Sequence, residues 1–201
     1  MPRPRFERLD PERRRHILDV AAARFAEAGY GVSYNELIAA AGLSKGSAYY
    51  YFDDKADLFL TVVEDALARL FAQLPPRAPA ADAEGFWADL RTRYLRLMLA
   101  LADHPQAAAL AFSLREARTD PIVAERVAAH LEAMGAWFAE LLVEGRALGA
   151  VRSDVPDDLL PLVVLSMGEA VDTWVLAEGR AAIPDRVDAA MRLFRSMAAP
   201  T

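Results

Sequence analysis

Between the only two lysines of this chain, Lys45 and Lys55, stand three adjacent tyrosines, Tyr49, Tyr50 and Tyr51, preceded by Ser44, Gly46 and Ser47. Side chains of these types can grip a molecule: ammonium groups and hydroxyls donate to oxygen acceptors, and the rings offer flat apolar faces. Successive residues of a helix point about 100° apart. With Ala48 and Phe52, spaced i and i+4, turned inward, the three tyrosines fan around the remaining circumference and cannot all be core. An exposed cluster of hydroxyls beside cations is a gripping surface, and oxygen-rich phosphates suit it.

Bond-making chemistry finds little support elsewhere. There is no cysteine, which excludes disulfides, thiolate metal sites and cysteine nucleophiles. His16, His104 and His130 fall on three different expected elements without metal-ligand spacing. No nucleophile–base pair, phosphate loop or paired-carboxylate motif stands out. The expectation is a protein that is not an enzyme and has no cofactor and no metal.

The elements that must position the cluster are helices. The chain has 201 residues, 54% of them hydrophobic, rich in Ala and Leu and poor in β-branched runs bounded by turns, which favours an all-α architecture. Asp10-Pro11 opens a helix with a cap and a proline at its first position, Ile17, Ala21 and Phe25 face inward, and Gly29 closes it. Ser33 and Glu36 fit a capping box for a short second helix that Gly42 ends. Ser44 caps a third, running to about Phe52. Asp53 or Asp54 caps a fourth, with Leu58, Val62, Ala66, Leu70 and Leu74 on its stripe. Residues 75–83 read as a loop, and helices follow over about 84–102, from 105 to before Asp120, from Pro121 onward with Val127, Leu131, Met134, Phe138 and Leu141 or Leu142 inside, over about 158–177, and from Pro184. Nine helices are expected.

The two short helices joined by Ala41-Gly42-Leu43-Ser44 have the form of a helix-turn-helix, in which Gly42 permits a left-handed turn and Leu43 plugs the angle. The second helix of such a pair lies in the major groove of DNA with its first residues nearest the bases. Lys45 and Ser47 are then the direct readers, lysine donating to guanine O6 and N7. Gly46 lets the backbone come close. Tyr49, Tyr50 and Tyr51 supply hydroxyls to phosphates, Lys55 and the amides at the next helix start hold another, and Ser33 and Tyr34 do the same on the other side. Charge is distributed to match. Net charge is −6, yet residues 1–52 carry eight Arg and Lys against six acids, while the remainder carries fifteen against twenty-three. Because screening acts over roughly 8 Å at physiological salt, a basic module on an acidic body still attracts phosphate locally. The arginine-rich start fits either a solvated tail or a minor-groove arm.

Arg15-His16-Ile17-Leu18, Ala21-Ala22, Phe25-Ala26-Glu27-Ala28-Gly29-Tyr30, Ser33, Leu37, the run from Ala41 to Ser47, Tyr49, Tyr51-Phe52, Lys55 and Leu58-Phe59 closely resemble the N-terminal domain of TetR-family transcriptional regulators, without a gap over about residues 13–59. Gly149 to Asp154 resembles the connection that precedes the eighth helix there. Ile38 and Ala48 depart from the usual small and larger apolar residues at their positions. The resemblance implies a DNA-binding domain over residues 1–52 and a helical effector-binding and dimerisation domain over 53–201. It implies a palindromic operator in double-stranded DNA, and a small-molecule pocket inside the fourth to eighth expected helices. Large or polar groups on apolar helices are the candidate lining: Tyr94, Met98, Phe112, Glu116, Met134, Trp137, Phe138, Met167, Asp172 and Trp174. An acid on a buried helix needs a partner, so Asp172 and Glu169 call for either an arginine such as Arg91, Arg93 or Arg96, or a cationic or hydroxylated ligand.

The expected eighth helix is apolar nearly all round, from Leu159 to Val175, and must be covered on every side. It carries Glu169, Asp172 and Pro161, and reads as a buried helix rather than a membrane span. With the ninth, as the resemblance implies, it is expected to form a four-helix homodimer interface, which sets two reading helices about 34–36 Å apart; the alternative is a core within one chain. The sequence therefore reads as a cytoplasmic, homodimeric, ligand-responsive regulator of the repressor type. The alternative is an α-helical ligand-binding or assembly protein with little DNA-binding role.

Overall fold

The computed structural model describes residues 2–74, 77 and 79–200, with the side chains of Arg115, residues 129–137 and Glu169 outside the description. All regular structure among the described residues is helical: α1 Pro4–Glu7, α2 Pro11–Ala28, α3 Tyr34–Ala40, α4 Lys45–Tyr51, α5 Lys55–Phe71, α6 Ala83–Asp103, α7 Pro105–Ala117, α8 Pro121–Ala147, α9 Leu159–Leu176 and α10 Ile183–Ala198, the last preceded by a 3₁₀ turn over Arg180–Ala182. The expected count of nine is thus short by the N-terminal α1, whose single turn is too brief to leave a periodic pattern.

Local chemistry accounts for the boundaries. The Asp10 carboxylate accepts from the Arg13 amide. Ser33 and Glu36 cap α3 reciprocally, Ser44 accepts from the Ser47 amide, and the choice between Asp53 and Asp54 falls on Asp54, which accepts from Asp57. Gly29 and Gly42 sit at φ +67° and +64°, the left-handed region that a side chain disfavours.

The packing forms two compact units. One comprises the chain up to Gln73 together with His104–Ala128. Its core joins Ile17, Ala21 and Phe25 of α2 to Leu37, Phe52, Leu58, Phe59 and Val62, with Leu110, Ala117 and Val123. The other comprises Leu74–Asp103 and the chain from Ala129 on. It has one apolar cluster around Phe86, Trp87, Leu141 and Val151, and a second around Met98, Val175, Ile183 and Val187. Gly145 is part of the first of these, because a Cβ there would meet Val151 Cγ2 at 2.5 Å and Phe86 Cζ at 2.8 Å.

α9 is long and apolar enough to cross a membrane, with a mean hydropathy of 1.6, yet only 12% of it is buried within the chain. Among its described side chains Leu160 and Val175 are buried, whereas Leu159, Leu162 and Trp174 are exposed. One copy therefore does not enclose this helix: a sequence reports how apolar a helix is, and not whether its own chain supplies the cover.

Candidate nucleic-acid interface

The helix-turn-helix is built as its punctuation requires. Leu43 is half-buried against the core, and the Arg13 guanidinium donates to the Gly42 carbonyl at 3.0 Å, bracing the turn from α2. On α4, Ala48 and Phe52 are fully buried, so the opposite face is turned out. Lys45 is exposed and makes no hydrogen bond or ion pair among the described residues. Gly46 has helical backbone, and a Cβ on it would meet nothing within 4 Å. Protein packing therefore gives no reason for a glycine in this helix. Ser44 and Ser47 are linked Oγ to Oγ at 2.9 Å, so Ser47 can offer a base only what this pairing leaves free.

The tyrosines divide. Tyr49 and Tyr50 are about half exposed, at 50% and 48%, and Tyr51 is half-buried against Phe6 with ring centroids 6.1 Å apart. Tyr34 packs edge-on against Tyr49. Its hydroxyl is buried without a hydrogen-bond partner among the described residues. Burial, with Tyr49 and the charges of Asp54, Asp57 and Asp53, pushes its pKa up to about 12. Ser33 is spent on the α3 capping box but remains exposed.

Lys55 is tethered. Its ammonium donates to the Tyr30 carbonyl at 2.8 Å and lies 4.1 Å from the centre of the Tyr30 ring, which leaves donor capacity on a group with three N–H bonds. The Tyr30 hydroxyl in turn donates to Asp120 at 2.7 Å. Burial and that carboxylate both push the phenol pKa up. Two residues later on α5, Asp57 is fully buried and accepts from Arg126 of α8 at 2.9 Å and from the Asp53 amide at 3.1 Å. Sequence reasoning missed this support, although Asp54-x-x-Asp57 repeats the spacing of a capping box.

Also missed was the N-terminal helix. Phe6, an isolated apolar residue among arginines, is buried against Tyr51 and Phe52, 4.7 Å from the latter ring. The Arg3 amide donates to the Tyr51 carbonyl at 2.9 Å, capping the C-terminal end of α4, and its guanidinium holds Asp53. Of the two readings of this segment, the solvated tail fails from Arg3 to Phe6.

The candidate effector residues are dispersed over both units. Phe112 and Glu116 belong to the first, both exposed, and the Glu116 carboxylate lies against Gly29. In the second, Met98 is fully buried core and Phe138 packs on the Phe86 cluster. Met167 is half-buried, and Trp174 is exposed beneath the Arg186 guanidinium, 4.5 Å from its ring centre. Met134 and Trp137 lie outside the described side chains. One pair is brought together: the Tyr94 hydroxyl donates to Asp172 at 2.7 Å. Of the arginines named as possible partners, Arg91 pairs with Asp188 and Arg93 with Asp89. Burial raises the Asp172 pKa, opposed by the Tyr94 hydrogen bond.

The helix-turn-helix thus turns an exposed, uncommitted cation and an unpacked glycine outward. The family model described as bacterial regulatory proteins, tetR family, matches residues 17–62. The HTH-type transcriptional repressor AcnR of Corynebacterium diphtheriae is 31% identical over 150 residues, covering 74% of this chain and 73% of that one. Among solved structures, the fatty acid degradation regulator FadR from Bacillus halodurans superposes with a TM-score of 0.70 at 19% identity, over 94% of this chain and 96% of that one. A transcriptional regulator from Saccharomonospora viridis in complex with choline superposes with a TM-score of 0.64 at 22% identity, over 96% and 100%. The chain belongs to the TetR family: it is a ligand-responsive transcriptional repressor and not an enzyme.

Proposed function

We propose that the chain binds a palindromic operator as a homodimer, with residues 1–52 as the reading head and residues 53–201 holding the effector and the dimer interface. Lys45 and Ser47 read bases. Tyr49, Tyr50, Tyr51, Ser33, Tyr34, Ser44 and Lys55 hold or shape the backbone contact. The observation that carries this reading is Gly46, a helical glycine with open space beyond its Cα on the face that Lys45 shares. Such a residue has a use where another backbone must come close.

Support for the dimer comes from exposed large apolar groups on consecutive helices, Leu159, Leu162 and Trp174 on α9 and Leu193 on α10. A second copy covers them in a two-fold, four-helix contact, and the protein works in the cytoplasm, where its DNA is. Support for an effector subsite comes from the Tyr94–Asp172 pair. A carboxyl group beside a phenol suits a cationic or hydroxylated small molecule, and choline is what the S. viridis protein holds. Release from DNA requires that this molecule prefer the non-binding state.

Selection of bound duplexes from a random-sequence pool by the full-length protein tests the reading. A palindromic consensus with half-sites one turn apart, bound by a species of dimer mass in sedimentation, is the expected result. Enrichment of no sequence, or binding by a monomer, overturns it.

A further inference from the structure

The N-terminal helix carries a feature that the helix-turn-helix does not require. The Arg5 guanidinium lies over the ring of Tyr50, 4.3 Å from its centre, in the range of a cation–π contact. Tyr50 is on the outward face of α4. The position of Arg5 is over-determined, because its neighbours on both sides are fastened. Arg3 is fixed by its amide on the Tyr51 carbonyl and its guanidinium on Asp53. Phe6 is buried between Tyr51 and Phe52.

Charge pairing separates Arg5 from most of its neighbours. Arg3 is neutralised by Asp53, Arg14 by Glu7, Arg15 by Asp19 and Asp65, and Arg24 by Glu27, while Arg13 is committed to the Gly42 carbonyl. Arg5 is exposed and has no carboxylate partner among the described residues. A guanidinium stacked on a phenol keeps its N–H edge free, and that planar fork matches the oxygens of a phosphate.

We propose that Arg5, held by Tyr50 beneath it and Phe6 beside it, is a phosphate clamp that extends the DNA contact from the reading helix to the N-terminal helix. The inference rests on the reading-head assignment and adds to it a contact outside the helix-turn-helix. The stack makes the contact a fixed part of α4: the clamp moves with the reading helix, without the ordering cost of a free arm.

Counterion release gives the test its arithmetic, since each neutralised phosphate contributes a slope of about −0.9 to log K against log salt. Arg5→Ala should lower affinity by the same factor for the selected operator and for an unrelated duplex of equal length. For a dimer with two clamps the slope should fall by about 1.8, so the wild-type advantage should shrink about twelvefold between 50 and 200 mM salt. Thermal melting of the variant, whose side chain is exposed, should match that of wild type. Tyr50→Phe should keep the Arg5 effect, whereas in a Tyr50→Leu background Arg5→Ala should matter less. An unchanged salt slope in Arg5→Ala overturns the clamp while leaving the helix-turn-helix reading intact. A loss confined to the selected operator also overturns it, by making Arg5 a base reader. Absence of wild-type binding to either duplex sinks the reading head itself.

Discussion

Replacing Gly46 by alanine should push stability and DNA affinity in opposite directions. Gly46 is the second residue of α4, has no positive φ, and would place its new methyl group in open space with nothing within 4 Å. Glycine in a helix is disfavoured against alanine by about 0.5–1 kcal/mol, chiefly through backbone entropy. With no steric penalty to offset it, Gly46→Ala should gain an amount in that range. For a chain of this size a kcal/mol moves the midpoint by about 2–4 °C, so melting followed by circular dichroism should rise by about 1–4 °C. The same methyl group stands where the groove wall must come, and anisotropy with the selected operator should show at least about a tenfold loss, near 1.4 kcal/mol. Lower melting with unchanged binding would refute both halves of the argument. Higher melting with full affinity would refute the approach of DNA to this face, and with it the observation on which the proposed function stands.

Gly145→Ala makes the contrasting case: its methyl group would fall 2.5 Å from Val151 and 2.8 Å from Phe86, and overpacking of this kind should lower stability by about 1–3 kcal/mol in chemical denaturation. Asp57→Ala removes the acceptor for Arg126 and for the Asp53 amide. With Arg126 about a third exposed, a loss of about 2–3 kcal/mol is expected, and a change below 0.5 would count against the pair as a support of α5. Asp172 has a folded-state pKa raised by burial above its ordinary 3.8. The stability linked to it is complete below the unfolded value and lost as pH rises through the folded one. Melting temperature should therefore fall over that interval in the wild type and stay flatter in Asp172→Asn, which still accepts from Tyr94, whereas parallel curves would contradict a buried carboxylate.

Much of the reading head was legible because its determinants are local. The Asp10, Ser33 and Ser44 caps each act on an amide three residues on, Ala48 and Phe52 face inward by helical geometry, and Gly42 adopts the turn that its place between two helices demands. The roles of individual side chains were less legible. The type and place of Tyr34 suggest a phosphate donor, whereas its hydroxyl lies buried beside Tyr49. The type and place of Lys55 suggest a phosphate clamp, and part of its donor capacity goes to the Tyr30 carbonyl. In both cases residue type announced a capability, and a neighbour from another helix claimed part of it.

Taken alone, the sequence determined the helical class, most helix boundaries, the helix-turn-helix and the family, since each depends on residue type within one or two turns of chain. Tertiary structure alone decided the distant pairings. Arg3 reaches Asp53 across 50 residues, Arg126 reaches Asp57 across 69, Tyr94 finds Asp172 across 78, and Tyr30 finds Asp120 across 90. Many acids and bases in a charged chain satisfy the same chemistry, and no local rule ranks them. Folding chooses among them by bringing particular helix ends together. By the same choice it seats Phe6 on the reading helix and leaves Arg5 facing outward.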